Sequence, residues 1–554
     1  MLLDNASVLI AGLAIALTVL LAVFKRWAIP TLDPLEPPLL KPRVPVIGHI
    51  ISMIRERAGF YPRLFKEAHM PICTLPMLNG KLYVINSPSL IQSALRNNDV
   101  SFDPFLIEFS KGMFGLTPTL LEAISQDSLM KELLETISST LMGESLHKLN
   151  VVALTSLIQH LNAVQAGTPF IVADSFLWIR DIVTEATTRA LFGEMNPFTA
   201  EHIPHLWTFD KSAALLAIDI APSLIAGSSI AARKKLNDIL SPYYEAKYDQ
   251  RPDTSDLMRR RGRILRREGI GAKDLGIQEL LIPWVGTTNT APTLFWLLSQ
   301  IFSRPDYLLR VRDEVAAITS IEDGLGKRIA ELDSSLLEKQ CPVLNACYHE
   351  SLRVYVHSVG NRRIMKDTRI QDSDGREYLL KKGTNVQWPP MVTHFIDSAW
   401  GEDPAIFNPE RFLNATVQDV KNRRGAFLPF GGGKHLCPGR KFAVTEIVGF
   451  VGLLALGFEA EGLSLPESTD PIFGGAPRQP LWKNQDPGFQ LRRRPGWEDV
   501  VWSTKIFSAS EYGGVSEGLG GPPENRKAIR TPGEDSGLMP ICSSTDGPHF
   551  TWEL

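Results

Sequence analysis

The chain has 554 residues, 44% of them hydrophobic and 21% charged, with a formal net charge of -3. That is the composition of a globular protein with ample core, in one very large domain or several ordinary ones, and its near-neutral charge gives no reason to expect a nucleic-acid partner. The five cysteines, Cys73, Cys341, Cys347, Cys437 and Cys542, are scattered and odd in number. This argues against a disulfide framework, and no C-x-x-C pair or tight His/Cys cluster argues for zinc, so the body of the protein reads as intracellular and reduced.

Residues 6–24 are almost unbroken apolar sequence, with Asp4 before them and Lys25, Arg26 and Trp27 after. The length is near the lower limit for crossing a bilayer. The positive charges follow the apolar run instead of preceding it, so residues 1–27 read as an uncleaved signal anchor. The N-terminus then lies in the lumen and the remainder in the cytosol. Asn5-Ala6-Ser7 fits the glycosylation pattern, with little use expected so close to the membrane. Residues 28–49 carry Pro30, Pro34, Pro37, Pro38, Pro42 and Pro45 and read as a semi-rigid spacer, because each ring fixes its φ and removes a donor.

Residues 81–86 are rich in β-formers and read as a strand, and residues 90–240 are mostly of helical periodicity. The strongly charged residues 251–273 read as a solvated loop or helix end. Residues 274–302 form a long apolar helical segment interrupted by Pro283 and Pro292. A helix over 337–354 is followed by short strand-like pieces through Val386, and residues 397–413 read as irregular. A last helix opens at Cys437 and runs through Glu446 to about residue 456. A catalytic domain is thus expected over 50–495. The Gly-, Ser-, Pro- and Glu-rich residues 496–554 cannot bury enough apolar surface to offset ordering entropy and read as a disordered tail.

Three clusters carry chemistry. The run from Phe430 to Gly439 sets Cys437 in a glycine-rich loop with an aromatic residue seven positions before it. A structural thiol needs no such setting, since it behaves as a small hydrophobe. A cysteine that holds a flat, bulky cofactor does, because Gly431, Gly432 and Gly433 permit a tight turn and close approach. Phe430 can shield the sulfur, and backbone N–H groups can tune it. Glu350 and Arg353 lie three apart on one helix face, within an apolar helix. Trp284 to Pro292 reads W-V-G-T-T-N-T-A-P, a helix rich in hydroxyls with a proline near its centre.

The Cys437 loop resembles the haem-ligand loop of the cytochrome P-450 superfamily, F-x-x-G-x-R-x-C-x-G, with His435 where arginine is usual. Lys41 to His49 resembles the proline-rich hinge of its membrane-bound members. Pro409-Glu410-Arg411-Phe412 resembles the segment whose arginine completes a network with Glu350 and Arg353. The resemblance covers roughly residues 38–494. It implies a mostly α fold with small β-sheets, a triangular helical prism around the haem, preceded by the N-terminal transmembrane helix. It also implies a haem b whose iron is held by the Cys437 thiolate, with Phe430, Gly433, His435, Gly439 and Arg362 around the cofactor. Arg362 resembles the propionate-binding arginine, with Arg363 the alternative one register away. His435 either donates to a propionate or is a solvated loop histidine.

In the family the 284–292 segment follows A-G-x-[DE]-T-T. Aligning Gly286 puts Thr288 at the acid and Asn289 at the alcohol, with Thr290 next, so the proton-delivering pair is missing. This variant resembles the sterol 7α/12α-hydroxylase and prostacyclin-synthase branch. Asn289 either positions a water or substrate oxygen, or satisfies carbonyls freed by a kink at Pro292. The resemblance implies a monooxygenase, anchored in the endoplasmic reticulum membrane, that hydroxylates a lipophilic substrate such as a sterol, terpenoid or other secondary metabolite. Electrons would come from a separate NADPH-dependent cytochrome P-450 reductase, since no nucleotide fingerprint marks a fused flavin domain. Lys434, Arg440 and Lys441 would suit docking to an acidic partner. A reductase-independent isomerase or dehydratase, and a non-catalytic haem protein, are the competing readings.

Overall fold

The computed structural model describes residues 32–43, 47–78, 80–219, 221–324, 327–470 and 476–505, with four isolated helical positions at 12, 15, 18 and 19. The expected anchor, the glycosylation pattern, Cys542 and residues 506–554 lie outside the described residues. Among the described residues no helix is long and apolar enough to cross a membrane.

Among the described residues helices dominate, with five small sheets. The largest sheet is made of β1 (Ile72–Met77), β2 (Gly80–Ile85), β3 (Val100–Ser101), β4 (Gly360–Ile364) and β5 (Asn385–Trp388), in the order β1-β2-β5-β4-β3. The strand expected at 81–86 is β2. β5 runs parallel to β2 and antiparallel to β4, with Val386 opposite Arg362. The proline-rich segment is stitched to this sheet: Leu39 bridges to Thr74 and Gly48 to Met77. The buried Glu36 carboxylate binds Lys81 and accepts from the Tyr83 hydroxyl at 2.5 Å.

Six helices frame the site: α1 (Ser175–Phe192), α2 (Ile203–Asp210), α3 (Leu281–Thr287), α4 (Thr290–Phe302), α5 (Pro342–Tyr355) and α6 (Arg440–Gly457). Every residue of α4 from Thr290 to Ile301 is buried, as is α6 from Glu446 onward. A helix apolar on all sides belongs in the middle of the core. α4 packs on α1, α5 and α6, and α3 packs on α1.

Two expectations differ from the structure and one is met. Within 251–273 there is a helix, Asp256–Arg267, that buries Leu257, Met258, Ile264 and Leu265. It also buries Arg261, whose guanidinium meets Glu279 bidentately at 2.8 and 2.8 Å; a paired charge on an apolar face is indistinguishable from a solvated one by composition. Pro283 and Pro292 interrupt the 274–302 segment as expected: it is three helices, Ala272–Glu279, α3 and α4. The breaks at Leu280 and Thr288–Asn289 fall three to four residues before each proline, where a carbonyl loses its N–H partner. Finally, residues 500–504 form a strand pairing parallel with Lys327–Leu332 and burying Trp502, so ordered structure continues past 495 into the expected tail.

Glu350 and Arg353 on α5 are wholly buried. Arg353 donates to both Glu350 oxygens at 2.7 Å and to the carbonyls of His394 (2.8 Å), Pro404 (2.6 Å) and Ile406 (3.3 Å). Arg411 adds a 3.3 Å contact to Glu350 and binds four further carbonyls, as the family resemblance implies. Arg423, which the motif did not reveal, stacks over Trp400 and Phe412 and binds the Ala399 carbonyl. His394 carries the network to the loop: its Nδ1 meets the Arg353 carbonyl at 2.9 Å and its Nε2 accepts from the Leu428 N–H at 3.2 Å. That acceptor role requires a neutral ring, and burial holds the His394 pKa down to about 3. Replacing Glu350 by glutamine leaves the Arg353 charge buried without its partner, which costs about 3–5 kcal/mol. A chemical-denaturation midpoint should fall accordingly, and Arg353→Lys, lacking the planar fork, should fall as well.

Candidate active site

The Cys437 loop is closed by the Cys437 N–H donating to the Phe430 carbonyl at 3.0 Å. Gly431 and Gly433 have φ of +75° and +64°, a region where side chains are strained. A Cβ on Gly433 would also lie 2.8 Å from the Leu95 carbonyl oxygen, so the loop docks on the end of helix Pro88–Arg96 only with glycine there. Phe430 is half-buried against the main core. At Gly439, by contrast, a Cβ would meet only the Cys437 sulfur at 3.9 Å and Leu141 at 4.0 Å, so nothing in the protein itself demands glycine there.

Among the described cysteines Cys73, Cys341 and Cys347 are fully buried and Cys437 is not. Burial pushes the Cys437 thiol up, against the backbone N–H groups of Gly439 and Arg440 and the Arg440 charge, which favour the thiolate. Two N–H groups aimed at a half-open sulfur suit a metal thiolate better than a packing residue.

Arg362 on β4 is 7% exposed. Its guanidinium lies between the rings of Phe102 and Trp388, 5.3 and 5.1 Å from their centroids. It donates to the carbonyls of Asn361 (2.7 Å) and Gly432 (3.4 Å). No carboxylate pairs with it among the described residues, and burial pulls its pKa down to about 10. A buried guanidinium held beside the cysteine loop without a counter-anion fits a carboxylate-bearing cofactor. Arg363 is already satisfied, by Glu108 at 2.5 Å and Asn385 at 3.0 Å. His435 is half-buried, its Nε2 3.2 Å from Asp103 and its ring against Phe102. Burial, then the Arg362 charge, lowers its pKa, while Lys434 reaches the same Asp103 at 3.1 Å.

Across the core, the segment between α3 and α4 uses most of its donors internally. Thr287 binds the Pro283 carbonyl at 2.7 Å, Thr288 that of Trp284 at 2.9 Å and Thr290 that of Gly286 at 2.8 Å. The exposed Asn289 amide donates to the Val285 carbonyl at 3.2 Å, across the break. α3 lies against α1, where a Cβ on Gly286 would approach Thr187 Cγ2 at 3.2 Å. Behind Thr187 is a residue the motifs did not single out, Glu446, which accepts from the Thr187 hydroxyl at 2.9 Å. Glu446 is fully buried and its Oε2 has no hydrogen-bond partner among the described residues. A cleft of about 380 Å³ near the N-terminal segment, lined by Leu40, His49 and Arg63 among others, includes none of these residues.

Desolvation raises the Glu446 carboxyl from 4.5 to about 8, against the Thr187 hydrogen bond. The unfolded chain loses this proton near 4.5 and the folded chain near 8, so the group's contribution to stability declines between those values and is flat beyond them. Glu446→Gln should therefore raise the thermal midpoint at pH 8 and leave it little changed near pH 4.5, as measured by calorimetry across that range.

Residues 37–474 match the family model for cytochrome P450. A cytochrome P450 monooxygenase of Gibberella zeae is 35% identical over 500 residues, covering 88% of this chain and 95% of its own length. Prostacyclin synthase of Rattus norvegicus is 25% identical, covering 78% of this chain and 88% of its own length. The solved structure of retinoic-acid-bound cyanobacterial CYP120A1 superposes with a TM-score of 0.63 at 18% identity, covering 83% of this chain and all of that one, and shows the same fold. A thiol loop, an unpaired arginine and a hydroxyl-rich helix in this arrangement, with a family match over most of the length, place the chain in the cytochrome P450 family of monooxygenases.

Proposed function

We propose that this enzyme hydroxylates a lipophilic substrate, a sterol, terpenoid or other secondary metabolite, with electrons passed from NADPH by a separate reductase, while anchored in the endoplasmic reticulum membrane with its catalytic domain in the cytosol. Cys437 is the thiolate ligand and Arg362 binds a haem propionate. The observation that carries this reading is their juxtaposition: the half-open thiol lies on the loop whose Gly432 carbonyl Arg362 also touches. When bound, a thiolate-ligated haem supplies oxygen activation, the thiolate favouring O–O cleavage. The chain supplies the pocket, the counter-charge for the propionate and the apolar surroundings. Lys434, Arg440 and Lys441 form the basic surface for an acidic reductase.

A reductase-independent isomerase or dehydratase is the second reading. It is favoured by the commitment of the Thr287, Thr288, Thr290 and Asn289 side chains to backbone carbonyls, and by the likeness to prostacyclin synthase.

A reduced carbon monoxide difference spectrum should show thiolate ligation in the native enzyme and lose it in Cys437→Ser. Arg362→Ala should lower haem content at purification, whereas Arg363→Ala should not. Incubation with a panel of sterols and terpenoids should give hydroxylated product only with NADPH and reductase. Turnover of a peroxide substrate without either would replace this reading by the isomerase.

A further inference from the structure

The break between α3 and α4 has a carboxylate facing it that no motif announces. Asp210, the last residue of α2, accepts from the Trp284 indole N–H at 2.8 Å through Oδ1 and from the Gln479 amide at 3.3 Å through Oδ2. The Thr288 hydroxyl, which donates to the Trp284 carbonyl at 2.9 Å, also acts on the carboxyl and favours its ionised form. Trp284 is fixed edge-on between Phe114 and Phe209, at 5.8 and 6.0 Å, so the carboxyl lies in an aromatic setting beside the helix break.

We propose that Asp210 is the proton-exchanging group of the interrupted helix, handing protons to the site through the Thr288 hydroxyl. The proposal rests on the haem-thiolate reading above. Hydroxylation with dioxygen consumes two protons for each oxygen atom reduced to water, so a group that holds and returns protons is needed. The hydroxyls of Thr287, Thr290 and Thr293 are committed to carbonyls one turn back, and none of them titrates. Thr288 has one proton and two acceptors, the Trp284 carbonyl at 2.9 Å and the Asp210 carboxylate. With Asp210 ionised the hydroxyl turns toward it. With Asp210 protonated it accepts from Asp210 and donates to the carbonyl. The protonation state of Asp210 is thereby read out as the orientation of a hydroxyl at the break.

Desolvation raises the Asp210 carboxyl from 3.8 to about 6, against the hydrogen bonds from Trp284 and Thr288. No charged neighbour among the described residues contributes. Arg180 on α1 lies over Trp207 and pairs with Asp181, Arg233 on helix Gly227–Glu245 binds the carbonyls of Gly112 and Met113, and Lys211 is exposed. The group therefore exchanges its proton close to neutral pH, where a proton donor is most useful.

Cumene hydroperoxide tests this without substrate or reductase. If its O–O bond breaks with both electrons on the cumyl oxygen, that oxygen takes one proton and leaves as 2-phenylpropan-2-ol. The haem, when bound, would supply the oxidising capacity that takes up the other oxygen, and the chain's part is the proton. If the bond breaks evenly, the cumyloxyl radical loses methyl and gives acetophenone. In the haem-loaded full chain the alcohol-to-ketone ratio should fall as pH rises through about 6. Asp210→Asn should abolish that dependence and lower the ratio on the order of a hundredfold at pH 5.5. Asp210→Glu should keep the dependence with a shifted midpoint, and Thr288→Val should lose it. Infrared difference titration should show a carboxylic acid band titrating near pH 6 in wild type and Thr288→Val, absent from Asp210→Asn. Retention of the pH-dependent ratio in Asp210→Asn overturns the proposal, as does absence of the band from wild type. Should Asp210→Asn fail to fold, an unchanged ratio in Thr288→Val overturns it equally. A wild-type carbon monoxide spectrum without thiolate character overturns instead the reading beneath it, since the infrared titration needs no haem.

Discussion

The Arg353 guanidinium is sealed from water, and much of the architecture beneath the cysteine loop follows from satisfying it. An unpaired ion in the interior would be prohibitive. The helix therefore supplies Glu350 one turn away, and three carbonyls from the 394–406 region turn inward to meet the remaining donors. These contacts hold in one conformation a segment whose own secondary structure is only the short helix Asp397–Trp400. Through His394, neutral because it is buried, the same network reaches the Leu428 N–H two residues before Phe430. The ion pair and the cysteine loop are in this sense one construction.

The opposite rule applies on the cofactor side. Arg362 is buried and no carboxylate among the described residues pairs with it, Asp103 acting only through its charge, close to the situation the Arg353 network exists to avoid. A protein tolerates such a charge where a ligand completes it, and the rings of Phe102 and Trp388 hold the guanidinium in place through their π faces. His435, standing where the family carries arginine, is directed at Asp103, and Lys434 joins it there. The positive charge that the loop would otherwise present is thus partly neutralised by the protein. Asp103 is held below the usual carboxylate range by Ser101, Lys434 and His435 despite the desolvation that opposes this.

Much of the site was legible in the order of residues because its chemistry is local. Cys437 and its glycines fall within ten positions, and Glu350 and Arg353 within four, so spacing alone indicated their partnership. The choice between Arg362 and Arg363 was not legible, since adjacent residues on a strand point to opposite faces and only the sheet register decides which is inside. Asp210, Glu446, Arg423 and His394 were equally silent. Each acts on residues far away in sequence, and none sits in a pattern that marks its role. The helix at Asp256–Arg267 was misread for a related reason: Arg261 is compatible with a buried face only because Glu279 is there to meet it.

The sequence by itself determined the helical class, the loop with its single cysteine and the paired charges of α5, since these depend on periodicity and short spacing. Tertiary structure alone decided which arginine is buried without a paired carboxylate among the described residues and which carboxylates lie behind the interrupted helix. The physical reason is that desolvation and hydrogen bonding between distant segments set the charge state of a group. Asp210 and Glu446 are ordinary acids in the unfolded chain, and only the folded interior raises them to about 6 and about 8.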